Sequence, residues 1–539
     1  MGDFGLAVCC FKAKKEMNKW LASLIAILTV NGLYAQQTTD PPKLVVSIVV
    51  DQLRGDYLQF FSSTFGERGF KRLMNEGLFY HRVDFGFPNV GQAASTATIY
   101  TGSYPYHHGI VADKTFDMET RREMSVVHDD TYLGNYTSNR YSPLALLSST
   151  LGDELKIASE GKSDVFAIAP EPEAAILSAG RYADAAFWLD DVNGRWATTT
   201  YYKNIPWYVE RFNSSQVIGN NPERTWIPSW THFVAFPYTK NTTPFKYTIS
   251  KGEYDKFIKI KQTPFINEEV TNFTAAFFEY ADFGKRSTPD FLTITYYAGN
   301  YKFSNRYEEY GWEIQDIYSR LDKEIEKLLD LVERKVGLRN ALIVLTTNGY
   351  YESAAKLPAG FKPHGEFYPN RCTALLNAYL MAIYGSGNWV GGYHSEQIYL
   401  NKKLIESQNV NWDDILLKAS EFIARFSGVQ EVTTAGRWFV DDTGRSVEFR
   451  RGMNKKISGD IFIELQPGWV VVNENQTNKT DYTKEKIISS PLFIFGANIR
   501  KEHVYRTIQA TEIAPSIAFI MRIRPPNAAK DAPLQEFLK

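Results

Sequence analysis

Asp51 stands at the end of a strand pattern, and one divalent ion could be held by Asp51, Asp113, Glu171 or Glu173 with water completing the shell. An oxygen-only set of this kind suits Mg²⁺, Mn²⁺ or Ca²⁺ better than zinc, and a hydrolase built on it would also need a nucleophile facing the acids. Ser95, Thr96 and Thr98 supply hydroxyls, but within the helical pattern of residues 93–100 they read as N-terminal and packing positions. The eight histidines, His81, His107, His108, His128, His232, His364, His394 and His503, show no metal-ligand spacing with Asp or Glu. His107 and His108 read as turn residues with satisfied ring nitrogens. Cys9, Cys10 and Cys372 form no CxxC pair, so no thiolate zinc site is expected.

The elements that would position these groups follow from periodicity. Residues 43–50 (KLVVSIVV) form a continuous β-branched run ending at Asp51, the pattern of a buried parallel strand. Runs of the same kind occupy 164–169, 291–296, 341–346 and 492–495. Helical patterns lie between them at 69–76, 93–100, 147–157 and 313–336; in the last, Ile314, Ile317, Leu321, Ile325, Leu328 and Val332 recur on one face. Alternation of this type predicts an α/β fold with a doubly wound, mostly parallel sheet flanked by helices. In such sheets the strand end that carries Asp51 faces the ligand.

Residues 190–286, rich in Trp, Tyr, Asn, Pro and Thr, break the alternation and read as an inserted cap. Residues 351–452 read as a second insertion, which leaves core segments at 36–189, 287–350 and 453–539. Lys12, Lys14, Lys15 and Lys19 precede an apolar run over 20–30, and Leu33-Tyr34-Ala35 offers a small-residue cleavage site. Residues 1–35 are therefore expected to be a signal peptide, with Met17 the alternative start, directing the chain to a bacterial periplasm or cell envelope. Its removal takes four Lys, one Asp and one Glu from a chain of net charge −1, leaving −3 with Cys372 the single cysteine. No internal disulfide and no transmembrane segment are expected in the mature chain. With 60 Lys and Arg against 61 Asp and Glu, nucleic acid is excluded as a partner; a protein partner is expected, of unknown identity.

Several blocks together resemble the alkaline phosphatase superfamily, nearest to the bacterial exported phosphate-irrepressible alkaline phosphatases related to nucleotide pyrophosphatases and phosphodiesterases. They include KLVVSIVVDQLRGDYL (43–58), GFKRLMNEG (69–77), ATIYTGSYPYHHGIVADKTFD (97–117), TLGDELK (150–156), TPDFLTITYYAG (288–299), RLDKEIEKLLDLVERKVG (320–337) and ATEIAPSIA (510–518). The resemblance implies two zinc ions held by an Asp after the first strand, an Asp-x-x-x-His, an Asp-His pair and a late His, beside a Thr or Ser nucleophile. Two such cations would clamp the attacking and leaving oxygens and lower the pKa of the nucleophile.

Residue by residue, Asp51 matches the first-strand Asp. The nucleophile position falls on Gln92, a carboxamide that cannot form a phosphoryl ester. The Asp-x-x-x-His becomes Asn300 to Ser304, the Asp-His pair becomes Asn348-Gly349, and the late His becomes Ser489. Phosphate-holding positions, implied as Lys-x-Arg and Asn, read Glu171, Glu173 and Asp113 here. A carboxylate ~5 Å from a phosphate dianion would repel it by a few kcal/mol at an effective dielectric of about 20. The plainer view, that Glu171 and Glu173 are solvated loop residues, still leaves the pocket without its anion donors.

Each zinc needs at least three protein donors, so no metal and no cofactor are expected. The chain reads as a catalytically inactive relative, exported and used for binding or assembly. One alternative is a metal-dependent phosphatase or phosphodiesterase rebuilt on Asp51, Asp113, Glu171 and Glu173. A weaker alternative is a carbohydrate binder using Trp188, Trp196, Trp207, Trp226 and Trp230 in and beside the cap, residues that more often pack an irregular segment.

Overall fold

The computed structural model describes residues 40–538 apart from 89, 118–119, 121, 203–204, 231–243, 304–310, 355–364, 439–443, 467–468, 473–481 and 488. The signal-peptide reading and Ser304 thus lie outside the described residues. Residues from Pro42 onward form one unit.

The strands that matter here, in chain order, are β1 (Leu44–Asp51), β2 (Leu78–Asp84), β3 (Lys114–Asp117), β4 (Arg122–Ser125), β5 (Gly134–Asn135), β6 (Val165–Ala169), β7 (Ala185–Leu189), β8 (Trp196–Thr199), β9 (Asp290–Tyr297), β10 (Ala341–Thr347), β11 (Tyr350–Ala354), β12 (Val390–His394), β13 (Gln397–Leu400), β14 (Val429–Thr434), β15 (Ile461–Leu465), β16 (Tyr482–Lys486), β17 (Leu492–Gly496) and β18 (Glu502–Gln509). The helices that matter here are α1 (Gln92–Thr101), α2 (Pro172–Ala179), α3 (Pro264–Tyr280), α4 (Gly311–Lys335) and α5 (Pro369–Tyr384).

Ten strands make the main sheet in the order β18-β2-β17-β10-β1-β9-β6-β7-β8-β5. Its centre, β10-β1-β9-β6-β7, is parallel throughout. β1 is buried along its whole length, as its unbroken apolar run requires of a strand covered on both faces. Helix α4 covers one face: Ile317, Leu321, Ile325, Leu328 and Val332 are all fully buried, each contributing about 1.5–3 kcal/mol of apolar burial. Gly337, at a φ of 84° that favours glycine, ends this helix and donates its N–H to the Val332 carbonyl at 3.0 Å.

Residues 190–286, expected as an inserted cap, also serve the core. β8 pairs with β7 at the sheet edge, and α3 packs along α4 and β9. Three of the tryptophans in and beside it pack the interior, the use preferred for them over a sugar platform: Trp188, Trp196 and Trp226 are at most 1% exposed. Trp196 stacks on Phe273 at 4.1 Å, and the indole of Trp226 donates to Asp316 at 2.7 Å. Of the five tryptophans only Trp207 and Trp230 reach solvent, and Trp207 lies 4.7 Å from the ring of Tyr280.

The second insertion builds a separate core around Cys372, Leu376, Trp389, Ile398, Ile415 and Ile461. Its antiparallel sheet, β12-β13-β15-β14, takes a strand from beyond residue 452. Cys372 is buried there as a free thiol. The β3–β4 hairpin of the main body leans on this sheet, Phe116 lying against Tyr399 at 5.3 Å.

Candidate functional site

The parallel register brings the C-terminal ends of β1, β9, β10 and β6 to one side of the sheet. Asp51 closes β1 opposite Tyr297 of β9, and Asn348 follows β10 directly. Asn300 comes three residues after β9, and Glu171 and Glu173 come just after β6. Sequence reasoning thus placed Asp51, Asn300 and Asn348 together, and the fold brings them together.

What they do there is bond to one another. The Asn348 amide donates to Oδ1 of Asp51, the Tyr350 hydroxyl donates to the same oxygen at 3.0 Å, and Asn348 Oδ1 accepts the backbone N–H of Gln52 at 3.0 Å. Gln52 holds a left-handed φ of 62°, and its Oε1 accepts the Glu352 N–H at 3.0 Å. Asn300 accepts the Tyr351 hydroxyl at 2.8 Å and donates to the Glu352 carbonyl at 2.7 Å. Lys302 pairs with the Glu352 carboxylate. Burial pushes the Asp51 carboxyl up to about 6, and the negative charges of Glu352 and Asp113 add to it against the bonds from Asn348 and Tyr350.

Gly349 stands at φ 74° with the Phe85 ring 2.2 Å from where a Cβ would lie, so the space a side chain would use is filled. The Ser489 carbonyl accepts the Gly55 N–H at 2.9 Å and ties two loops. Gln92 opens α1, and Ala93 behind it donates its N–H to Asp113 Oδ1 at 2.8 Å. The first turn of α1, an N-terminus that favours an anion, therefore already holds a carboxylate. Ser95, Thr96 and Thr98 are buried in the helix. Thr98 meets His108 Nε2 at 3.0 Å, while His108 Nδ1 accepts the Ile110 N–H, which satisfies both ring nitrogens.

The acids after β6 are engaged too, contrary to the solvated-loop view. Glu173 accepts the Ser125 hydroxyl at 2.5 Å, and burial, aided by Glu171 and Asp113, pushes its carboxyl up to about 7. Glu171 pairs at 3.0 Å with Lys261, which also pairs with Asp191 at 2.6 Å.

A model of the type I phosphodiesterase / nucleotide pyrophosphatase family matches residues 45–487. The chain belongs to that family. Alkaline phosphatase PafA of Elizabethkingia meningoseptica is 28% identical over 548 aligned positions, covering 96% of this chain and 99% of that one. Alkaline phosphatase PhoV of Synechococcus elongatus is 25% identical, with 93% and 94% covered. The crystal structure of wild-type PafA superposes with a TM-score of 0.78 at 26% identity, covering 93% and 99%. The alkaline-phosphatase-like fold is thereby established for this phosphodiesterase-family chain.

The residues present do not fit the two zinc ions implied for the family. Asp51 is the one carboxylate or imidazole at the described ligand positions, and Oδ1 faces two hydrogen-bond donors where a cation would need a free lone pair. Among the described residues no group of three or more His, Cys, Asp or Glu is placed to hold a metal. No helix among them is long and apolar enough to cross a membrane. Sequence reasoning missed Tyr350, Tyr351 and Glu352, which fill the cleft; their position directly after Asn348-Gly349 was the available signal.

Proposed function

We propose that this phosphodiesterase-family protein has given up two-metal phosphoester hydrolysis at its sheet-end cleft and is exported to serve a binding or assembly role. The observation that carries this reading is the pair of hydrogen bonds on Oδ1 of Asp51, in which Asn348 and Tyr350 supply N–H and O–H groups in place of a cation. Gln92 at the nucleophile position and the carboxylates at the phosphate-holding positions support it, since neither can make a phosphoryl ester or attract a phosphate. Export rests on the basic and apolar pattern over residues 12–35, and near-zero net charge favours a protein partner over nucleic acid.

The relatives named as alkaline phosphatases, aligned over nearly their full lengths, favour a second reading: a metal-dependent phosphatase or phosphodiesterase. In this chain it would have to use Asp51, Asp113, Glu171 and Glu173. Each of these accepts a bond from another residue, which weighs against it.

Metal content by mass spectrometry, measured with turnover of aryl phosphate mono- and diesters in added Zn²⁺, Mg²⁺ or Mn²⁺, decides between them. The expected result is no stoichiometric metal and no turnover above buffer. About two zinc ions per chain, or one divalent ion, with turnover would overturn the proposal.

A further inference from the structure

A cavity of about 970 Å³ opens between the β3–β4 hairpin and the second insertion and shares no lining residue with the cleft at Asp51. His394, the last residue of β12, is buried in its wall. Its Nδ1 lies 2.8 Å from Oε1 of Glu123 in β4, and its Nε2 lies 3.1 Å from Oγ of Ser395. A carboxylate only accepts, so Nδ1 carries a proton, and in the neutral ring Nε2 then offers its lone pair to the serine hydroxyl.

Two features hold this arrangement. Glu123 is paired across the hairpin with Phe116, and the Phe116 ring sits so close over β12 that a Cβ on Gly392 would be 2.4 Å from it. The glycine thus lets the hairpin dock and bring Glu123 to the imidazole. Ser395 and Glu396, at φ 49° and 61°, form the two-residue turn between His394 and Gln397, which are paired. Left-handed conformations at both centres call for Asn-Gly or Gly-rich pairs. Ser and Glu adopt them here at a steric cost, and strain of this kind gathers at functional turns.

We propose that Ser395 is a nucleophile activated by His394, with Glu123 as the positioning residue, acting on an uncharged carboxylic ester. Ser395 Oγ attacks the carbonyl carbon while His394 Nε2 takes its proton. The tetrahedral adduct collapses, the C–O bond to the leaving group breaks, and the departing oxygen takes that proton to leave as an alcohol. Water, deprotonated by the same nitrogen, then cleaves the acyl-serine, releasing the carboxylic acid and restoring Ser395. The substrate class follows from the lining, which among the described residues includes Glu123 and Glu396 but no Lys or Arg, the nearby Lys114 being paired with Glu123 at 3.6 Å; phosphoesters and other anions are disfavoured, while Phe116, Tyr393 and Val390 offer surface to an acyl chain. This site is independent of the cleft at Asp51.

The test uses the full chain with 4-nitrophenyl acetate as substrate and diisopropyl fluorophosphate as covalent probe, the adduct mapped by peptide mass spectrometry. One adduct on Ser395 is expected. Ser395→Gly, which relaxes the turn while removing the hydroxyl, should abolish both adduct and turnover. Glu123→Gln keeps a hydrogen-bonding tether but lets an amide donate to Nδ1 and reverse the tautomer, so kcat should fall at least tenfold with KM unchanged. A folded wild-type chain that gives no adduct on Ser395, or turnover indifferent to Ser395→Gly, overturns the proposal; an unchanged kcat in Glu123→Gln removes Glu123 from it.

Discussion

Asn348 donates its side-chain amide to Oδ1 of Asp51 across the seam between β10 and β1, and both side chains are buried. A carboxylate at 348 would instead set two acceptors against each other and lose nothing but repulsion on protonation. Asn348→Asp should therefore cost about 3 kcal/mol at pH 8 and less at pH 5, where one acid of the pair takes a proton. Urea unfolding at the two pH values measures this. Equal stability to the wild type at both would mean the amide is not what neutralises Asp51.

A second expectation concerns pH and lies far from the cleft. Glu269 of α3 accepts the Trp196 indole N–H at 3.1 Å and the Ile218 N–H at 3.2 Å, and burial pushes its carboxyl from 4.5 up to about 7. A folded pKa above the unfolded one means that the folded chain holds the proton more tightly. The stabilisation is complete below pH 4.5 and disappears as pH rises through 7. At 1.36 kcal/mol per pH unit the shift amounts to about 3 kcal/mol. Glu269→Gln should flatten the fall in urea midpoint between pH 5 and pH 8; an unaltered slope would place the proton elsewhere.

Much of this architecture was legible because the signals were local. The run 43–50 became β1, and the one-faced pattern of 313–336 became α4, each within two residues at either end. Asp51, Asn300 and Asn348 could be gathered because parallel strands deliver their C-terminal ends to one place. The donors that fill the cleft could not, since Tyr350 and Tyr351 reach Asp51 and Asn300 only because the chain turns back into β11 and pairs with β16. His394 and Glu123 are 271 residues apart, and no spacing rule spans that distance. The tryptophans of 190–286 could be read as packing residues, but not what they pack against, because their segment lacks periodicity; Trp196 and Trp226 are held by indole bonds to Glu269 and Asp316.

Gly349 gives a steric test. Its φ of 74° and the Phe85 ring 2.2 Å from a Cβ position mean that any side chain there meets both backbone strain and an aromatic wall. Gly349→His, which would supply an imidazole at the position of the implied Asp-His pair, should destabilise by about 3 kcal/mol. Combining it with Phe85→Ala should cost at least about 1 kcal/mol less than the sum of the single changes, the signature of two groups competing for one volume. Strict additivity in thermal or urea unfolding would show that Phe85 is not the obstacle.

Lys261 explains why reversing one charge would not recreate an anion pocket. It is 4% exposed, and although burial works against its charge, Glu171 and Asp191 lift its pKa above the usual lysine range. Lys261→Met would leave Glu171 and Asp191, 37% and 47% exposed, facing each other without their shared cation, at a cost of about 1 kcal/mol. Adding Glu171→Gln and Asp191→Asn should return most of it, because the apolar side chain would then abut neutral amides. Glu171→Lys makes the opposite error, setting a second cation against Lys261 while stranding Asp191's partner in a contest for one carboxylate. Calorimetric titration of that variant with inorganic phosphate should show no binding in the millimolar range, and the variant should unfold at lower urea than the wild type. Tight phosphate binding by Glu171→Lys alone would mean that Lys261 is free to turn toward the cleft, and that the ion pair to Glu171 is a contact of convenience rather than the reason an acid stands there.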